Sequence, residues 1–246
     1  MDNRSTTPPM PPQHPPHVLA KMEKRKKLRK KLLYIAPVVV LVLVLGIWLG
    51  SGAGKANNNV LRSYTVLGNC NYQRNQIRSV TFLDTLADQP ADAWDVSESG
   101  NGTVMAWVKP DGNRYDLYIA GEGGVSAGTS CERLFRGYEN MTKITFGNSF
   151  DTANVQNMAS MFGNCSSLNS LDLSSFDTTN VQDMIRMFYN CSSLTSLDLS
   201  SFDTANVQDM REMFYSCSSL TSLDLGDKFV TTNADTTDMF YDCPAW

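Results

Sequence analysis

The sequence predicts an α/β solenoid: a short stack of 26-residue strand–helix coils, capped by a small β-rich head and preceded by one transmembrane helix. Three observations carry this expectation. The C-terminal half repeats itself at a fixed period. An unbroken apolar run follows a basic cluster near the N-terminus. Between these two regions, short segments alternate apolar and polar residues.

The totals narrow the function classes. With 246 residues, 42% of them apolar and a net charge of −4, the chain is neither wholly disordered nor a globally basic nucleic-acid binder. The charge is unevenly placed. Residues 1–31 hold nine Lys/Arg against two acids, a net of +7, and residues 32–246 hold twelve against 23, a net of −11. Histidine occurs only at His14 and His17, so the rest of the chain lacks the usual base for Ser/His or Cys/His catalysis.

Residues 1–31 read as a disordered cytoplasmic tail. Residues 8–17 are proline-rich, and residues 21–31 carry eight basic residues and one Glu. The run 32–49 has 18 uncharged, largely apolar residues, enough at ~1.5 Å each to cross a bilayer core as a helix. The basic cluster on its N-terminal side predicts a cytoplasmic N-terminus and an extracellular C-terminal domain. Two outcomes stay open, an uncleaved anchor or cleavage after Ala53, and the length of the apolar run favours the anchor. Residues 50–59 read as a flexible linker.

Residues 60–130 read as the β-rich head, an N-terminal cap for the repeats. Residues 77–82 alternate as a strand does. Residues 103–108 and 115–119 flank the turn sequence 109–113, which predicts a hairpin. Gly121, Gly123 and Gly124 lack the lysine and following helix of a phosphate loop.

Residues 131–246 form the predicted solenoid. Near-identical copies occupy 150–175, 176–201 and 202–225, a degenerate copy occupies 131–149, and Phe229 opens a last partial one. Cys165, Cys191, Cys217 and Cys243 recur every 26 residues. Leu194, Leu197 and Leu199 fit the Leu-x-x-Leu-x-Leu strand of a leucine-rich repeat. Val181, Met184, Met187 and Phe188 follow i, i+3, i+6, i+7 spacing, which predicts a helix capped by Asn180 with Asp183 at its third position. The methionines fit core packing better than a cofactor box. The cysteines, one per coil, fit a buried thiol column better than a zinc site. Cys70 and Cys131 fall outside that column and leave one disulfide open.

The outward strand positions are the candidate binding residues: Asn169, Ser170 and Asp172, then Thr195, Ser196 and Asp198, then Thr221, Ser222 and Asp224. Adjacent strands lie ~4.8 Å apart, so the three aspartates form a like-charged row. A cation such as calcium would relieve that repulsion, and so would solvation, raised carboxyl pKa values or hydroxyl hydrogen bonds; one carboxylate per coil makes a thin cage for an ion. No catalytic residue, resident metal, cofactor or nucleic-acid partner is predicted.

The repeat text, for example residues 176–201, resembles the BspA-like leucine-rich-repeat surface proteins, whose repeats also form a family of unknown function in mycoplasmas and gut bacteria. Segments 80–86, 91–97 and 116–125 are similar to text that precedes such repeats. The resemblance implies a bacterial surface protein with an adhesive role and supplies no catalytic residues. The combined expectation is a membrane-anchored, non-enzymatic surface protein whose solenoid binds a host or neighbouring-cell protein or glycan. The alternatives are an exported carbohydrate-active or cell-wall-acting enzyme using a carboxylate pair, or a structural stalk.

Overall fold

The computed structural model describes residues 59–62, 66, 67 and 72–245. The tail at 1–31, the apolar run at 32–49 and all but the last residue of the linker at 50–59 lie outside them. Contacts divide the chain into Met1–Lys55 and Ala56–Trp246, and every described residue lies in the second unit.

The head is built on a five-stranded sheet. A 3-10 turn, Arg74–Gln76, leads into β1 (Ile77–Leu83), followed by β2 (Trp94–Asp95), β3 (Val104–Asp111) and β4 (Arg114–Gly121). β3 and β4 form an antiparallel hairpin whose last pair is Asp111 with Arg114. Its two-residue loop needs the positive φ of +61° that Gly112 supplies. The strands run further into the loop than the turn sequence suggested, since Lys109 and Pro110 both pair within the ladder. β1 lies parallel to β4 on one side. On its other side it pairs, also parallel, with β6 (Lys143–Thr145), which belongs to the first repeat copy. Period-two alternation buries Val80 and Phe82 with Leu117 and Ile119. Phe82 then meets Phe135, Phe146 and Phe150 at ring-centroid distances of 6.2, 5.4 and 4.4 Å. A two-stranded parallel sheet of β5 (Val125–Ser126) and β7 (Phe150–Asp151) makes a second tie between head and repeats.

The repeat copies stack, but each is made of turns. Met161, Gly163, Cys165 and Leu168 donate their amides three residues back, to Met158, Ser160, Phe162 and Cys165. The intervening amides donate to the next copy instead: Met158 to Asp183, Ser160 to Ile185, Phe162 to Met187 and Asn164 to Tyr189. Isolated parallel bridges run through Ser130, Asn157, Asp183, Asp209 and Asp235. Two residues of each copy hold left-handed backbone: Ser160, Arg186, Glu212 and Asp238 at φ 54–56°, and Asn164, Asn190, Ser216 and Asp242 at φ 54–60°. An α-helix cannot contain such residues.

Packing follows from this. Phe135, Phe162, Phe188, Phe214 and Phe240 stack in one column with centroids 5.8, 5.7, 5.5 and 5.2 Å apart. The methionines at 158, 161, 184, 187, 210 and 213 are fully buried beside them. Each such side chain contributes ~1.5–3 kcal/mol by leaving water. Thr152, Thr178 and Thr204 are buried, and each hydroxyl bonds both the amide and the carbonyl of one residue in the next copy, Asp177, Asp203 and Val230 respectively. The thiols of Cys165, Cys191 and Cys217 donate to the carbonyls of Phe135, Phe162 and Phe188 at 3.1–3.2 Å. Burial pushes the Cys165 and Cys217 thiols up to about 12. Cys131 is also a free, buried thiol, in the place that Met158 holds one copy later, and Cys70 lies outside the described residues.

Several expectations are corrected here. The α/β solenoid of strand–helix coils is overturned: the described residues contain no α-helix, and no closed solenoid is formed. The stripe of Val181, Met184, Met187 and Phe188 arises from consecutive three-residue turns, whose period of three resembles that of a helix. Asn180 is no helix cap; its side-chain amide donates to the carbonyl of Ala153 in the preceding copy at 2.8 Å. Asp183 accepts from the amide of Ile185, closing a local turn. The transmembrane helix and the single-pass membrane location with a cytoplasmic N-terminus are not supported: their segment, 32–49, lies outside the described residues, and among those no helix is long and apolar enough to cross a membrane.

Candidate ligand groove

The strand segments of the copies lie beside one another and frame a cavity of about 790 Å³. β8 (Ser196–Asp198) and β9 (Ser222–Asp224) pair in parallel, with Ser196 opposite Ser222 and Asp198 opposite Asp224. Leu197 between them points inward and is buried, so the flanking residues face out by simple alternation. Seven of the nine candidate residues line the cavity: Asn169, Ser170, Asp172, Ser196, Asp198, Ser222 and Asp224. Thr195 and Thr221 are exposed but do not line it; the Thr221 hydroxyl donates to the Thr195 carbonyl at 3.4 Å.

Residues of the degenerate first copy complete the wall. Thr142, Lys143, Ile144 and Thr145 occupy the places of Asn169, Ser170, Leu171 and Asp172. The sequence reading missed them because the stretch from Cys131 to Phe150 is one residue longer than that from Met158 to Phe176. Aligning the Ile144 and Leu171 strands rather than the phenylalanines brings them into register. The row that reads Asp172, Asp198, Asp224 thus ends on Thr145, and the row of serines ends on Lys143.

Each aspartate is held by its own turn. Asp172 accepts from the Ser174 hydroxyl at 2.7 Å and the Ser174 amide at 3.0 Å. Asp198 accepts from the Ser200 amide at 2.9 Å and Asp224 from the Gly226 amide at 3.1 Å. The serine hydroxyls and amides hold the carboxyls of Asp172 and Asp198 below the ordinary carboxylate range. Raised pKa values therefore do not relieve the repulsion between Asp172 and Asp198; hydrogen bonds and exposure to water do. Among the described residues no group of three or more His, Cys, Asp or Glu side chains is placed to hold a metal ion.

A second aromatic row runs along the stack, with Tyr189, Tyr215 and Tyr241 stacked at 5.1 and 4.7 Å. Arg186 lies over the Tyr189 ring and pairs with Glu212 at 2.7 Å. These groups hold copies together and stand apart from the cavity.

Residues 129–246 match the family described as "Mycoplasma protein of unknown function, DUF285". The DUF285 match spans every repeat copy and every residue of the groove, while the head strands β1 to β5 precede it. The DUF285 description assigns no activity. No curated protein and no solved structure matches the chain.

Proposed function

We propose that the repeat stack is an interaction module that holds a protein or glycan in the groove between its strand segments. The observation that carries this reading is the convergence of four copies on one continuous, water-facing cavity lined by hydroxyls, two amides and carboxylates. Its volume lies in the ~300–1,000 Å³ range of ligand sites. The likeness of the repeat text to BspA-like surface proteins supports an adhesive role. A binding role rather than catalysis is supported by the carboxyls themselves. Acid–base cleavage of a glycosidic bond needs one carboxyl kept protonated near neutral pH beside one ionised, whereas Asp172 and Asp198 are both held ionised.

The test is an array of matrix proteins and glycans probed with the full chain and with the D172N/D198N/D224N variant. Asparagine preserves the turn-closing acceptor oxygen, so the fold is retained. Retained ligands whose signal falls at least tenfold in the variant support the reading. Ligands bound equally by both chains place the interaction elsewhere and refute it.

A further inference from the structure

We propose that Asn101 is a self-modifying residue: the turn joining β2 to β3 converts its side-chain amide to a carboxylate through attack by the backbone nitrogen of Gly102. This chemistry is independent of the groove and belongs to the head alone.

Such a reaction needs three things. A backbone nitrogen must reach the side-chain carbon of the preceding asparagine, a base must take that nitrogen's proton, and donors must meet the oxygen on which charge develops. Residues 95–103 hold all of them. Asn101-Gly102 is the one Asn-Gly pair in the sequence, and glycine sets no side chain between its nitrogen and Asn101. Oδ1 of Asn101 accepts from the Thr103 amide at 3.1 Å and from the Thr103 hydroxyl at 2.8 Å. The ring that the amide bond closes contains both Cγ of Asn101 and the Gly102 nitrogen, so the side chain folds toward its attacker. Asn101 is exposed, and a departing Nδ2 enters water directly.

The base lies on the other side. The Gly102 amide donates to the Ser97 hydroxyl oxygen at 3.2 Å, and that hydroxyl donates in turn to Oδ1 of Asp95. Ser97 is fully buried, so the proton path from amide to carboxylate avoids bulk water. The Ser97 amide also donates to Oδ1 of Asp95, at 2.9 Å, which fixes the carboxylate in place. Charged residues beside this relay are Glu98 and Arg62, whose guanidinium donates to the Ser97 carbonyl at 3.1 Å. β3 sets the uncharged Met105 opposite Asp95. Each bond alone is an ordinary turn contact. Their order is that of acyl transfer: nucleophile, hydroxyl and carboxylate on one side of the amide, two donors on the other.

The bond from the Gly102 nitrogen to Cγ of Asn101 forms as the amide proton passes to Ser97 and the hydroxyl proton to Asp95. Oδ1 takes the electron pair of the side-chain carbonyl, held by Thr103. That pair returns as the Cγ–Nδ2 bond breaks, and Nδ2 leaves as ammonia with the proton handed back through the relay. Water then opens the remaining succinimide to aspartate or isoaspartate. The sum is asparagine plus water to aspartate plus ammonia, with no oxidant or reductant.

The experiment incubates the purified full chain, folded and in urea, and follows residue 101 by peptide mass spectrometry. Conversion in the folded chain should be at least ~10-fold faster than in urea, because only the ordered turn supplies base and donors. Its rate should be nearly level between about pH 6 and 8, since a carboxylate rather than hydroxide removes the proton. Asp95→Asn keeps an acceptor oxygen for Ser97, so the turn still closes, and it removes the base. Its folded rate should fall at least ~10-fold and rise with pH as hydroxide does, while in urea it matches the native chain. Thr103→Val keeps the shape, removes one donor to Oδ1 and should slow conversion at least ~10-fold. Folded conversion no faster than in urea overturns the proposal. So does an Asp95→Asn chain that converts as fast as the native one, or one that is slower but keeps a level pH profile, which would leave Asp95 a structural role only.

Discussion

Buried hydroxyls bolt one copy to the next. Thr178 is 1% exposed. Its hydroxyl accepts from the Asp203 amide at 2.9 Å and donates to the Asp203 carbonyl at 3.0 Å. Thr178→Val keeps the shape and removes both bonds. Two bonds at ~1 kcal/mol each, plus the cost of leaving the Asp203 backbone groups without partners, give a loss of about 3 kcal/mol. Thr178→Ser keeps the hydroxyl and removes one methyl, costing about 1 kcal/mol. Thr195→Val, at an exposed position, should stay within ~0.5 kcal/mol of the native chain. Urea unfolding of the full chain, followed by tyrosine fluorescence and circular dichroism, reads all three. A Thr178→Val chain that unfolds within ~0.5 kcal/mol of the native one, or a Thr178→Ser chain that loses as much as Thr178→Val, would refute the threonine bolt.

Further expectations follow from the same geometry. Cys165 and Cys217 are pushed to about 12 in the folded protein, against 9.0 for an ordinary thiol. Unfolded thiols ionise above about pH 9 while the folded ones stay protonated, so stability is flat below pH 9 and falls between pH 9 and 12. The slope reaches roughly 1.4 kcal/mol per pH unit for each thiol, read as the urea midpoint at pH 8 and pH 10. A midpoint that does not move would refute the buried column. Gly226→Ala should cost more than about 1 kcal/mol. Its backbone sits at φ +62° and an added Cβ would approach the Ser200 carbonyl oxygen to 2.6 Å, so an unchanged melting temperature would contradict that turn. Ser216→Asn restores the residue that Asn164 and Asn190 supply at the matching left-handed positions. It should raise stability by about 0.5 kcal/mol, and a loss would mean that φ there is not positive.

The repeat period, the buried Met and Phe stripes and the β3–β4 hairpin were legible in the sequence because each depends on spacing alone. The helix was not. Inward positions three apart mark either a helix or a chain of tight turns, and the choice rests on which residues take positive φ. Here those residues are Ser160, Arg186 and Glu212 as well as Asn164 and Asn190, so no glycine flags the turns in the near-identical copies; the degenerate first copy alone has one, Gly137. Their conformation is imposed by the amide bonds to the next copy, which a single copy's sequence does not display. The central place of β1, parallel to both β4 and β6, joins segments more than 30 residues apart and left no local signature. In the groove, the aspartate and serine rows were readable from repetition. Lys143 and Thr145 were hidden by one inserted residue.

The near-identity of the copies poses a problem of order during folding. Phe stacks on Phe, Tyr on Tyr, and each threonine bolt finds the same backbone partner one copy on, so segment 176–201 can seat where 202–225 belongs at little cost. Charge on the residues that differ does not distinguish the seats. Arg186 meets Glu212 across the step at 2.7 Å, and in a swapped order it would meet Asp238, another acid at the matching place. Such surface ion pairs add little to the depth of the native well in any case. Order is imposed instead from one end, where β6 of the first copy is locked to the head strand β1, in a chain whose core cannot tell its own parts apart.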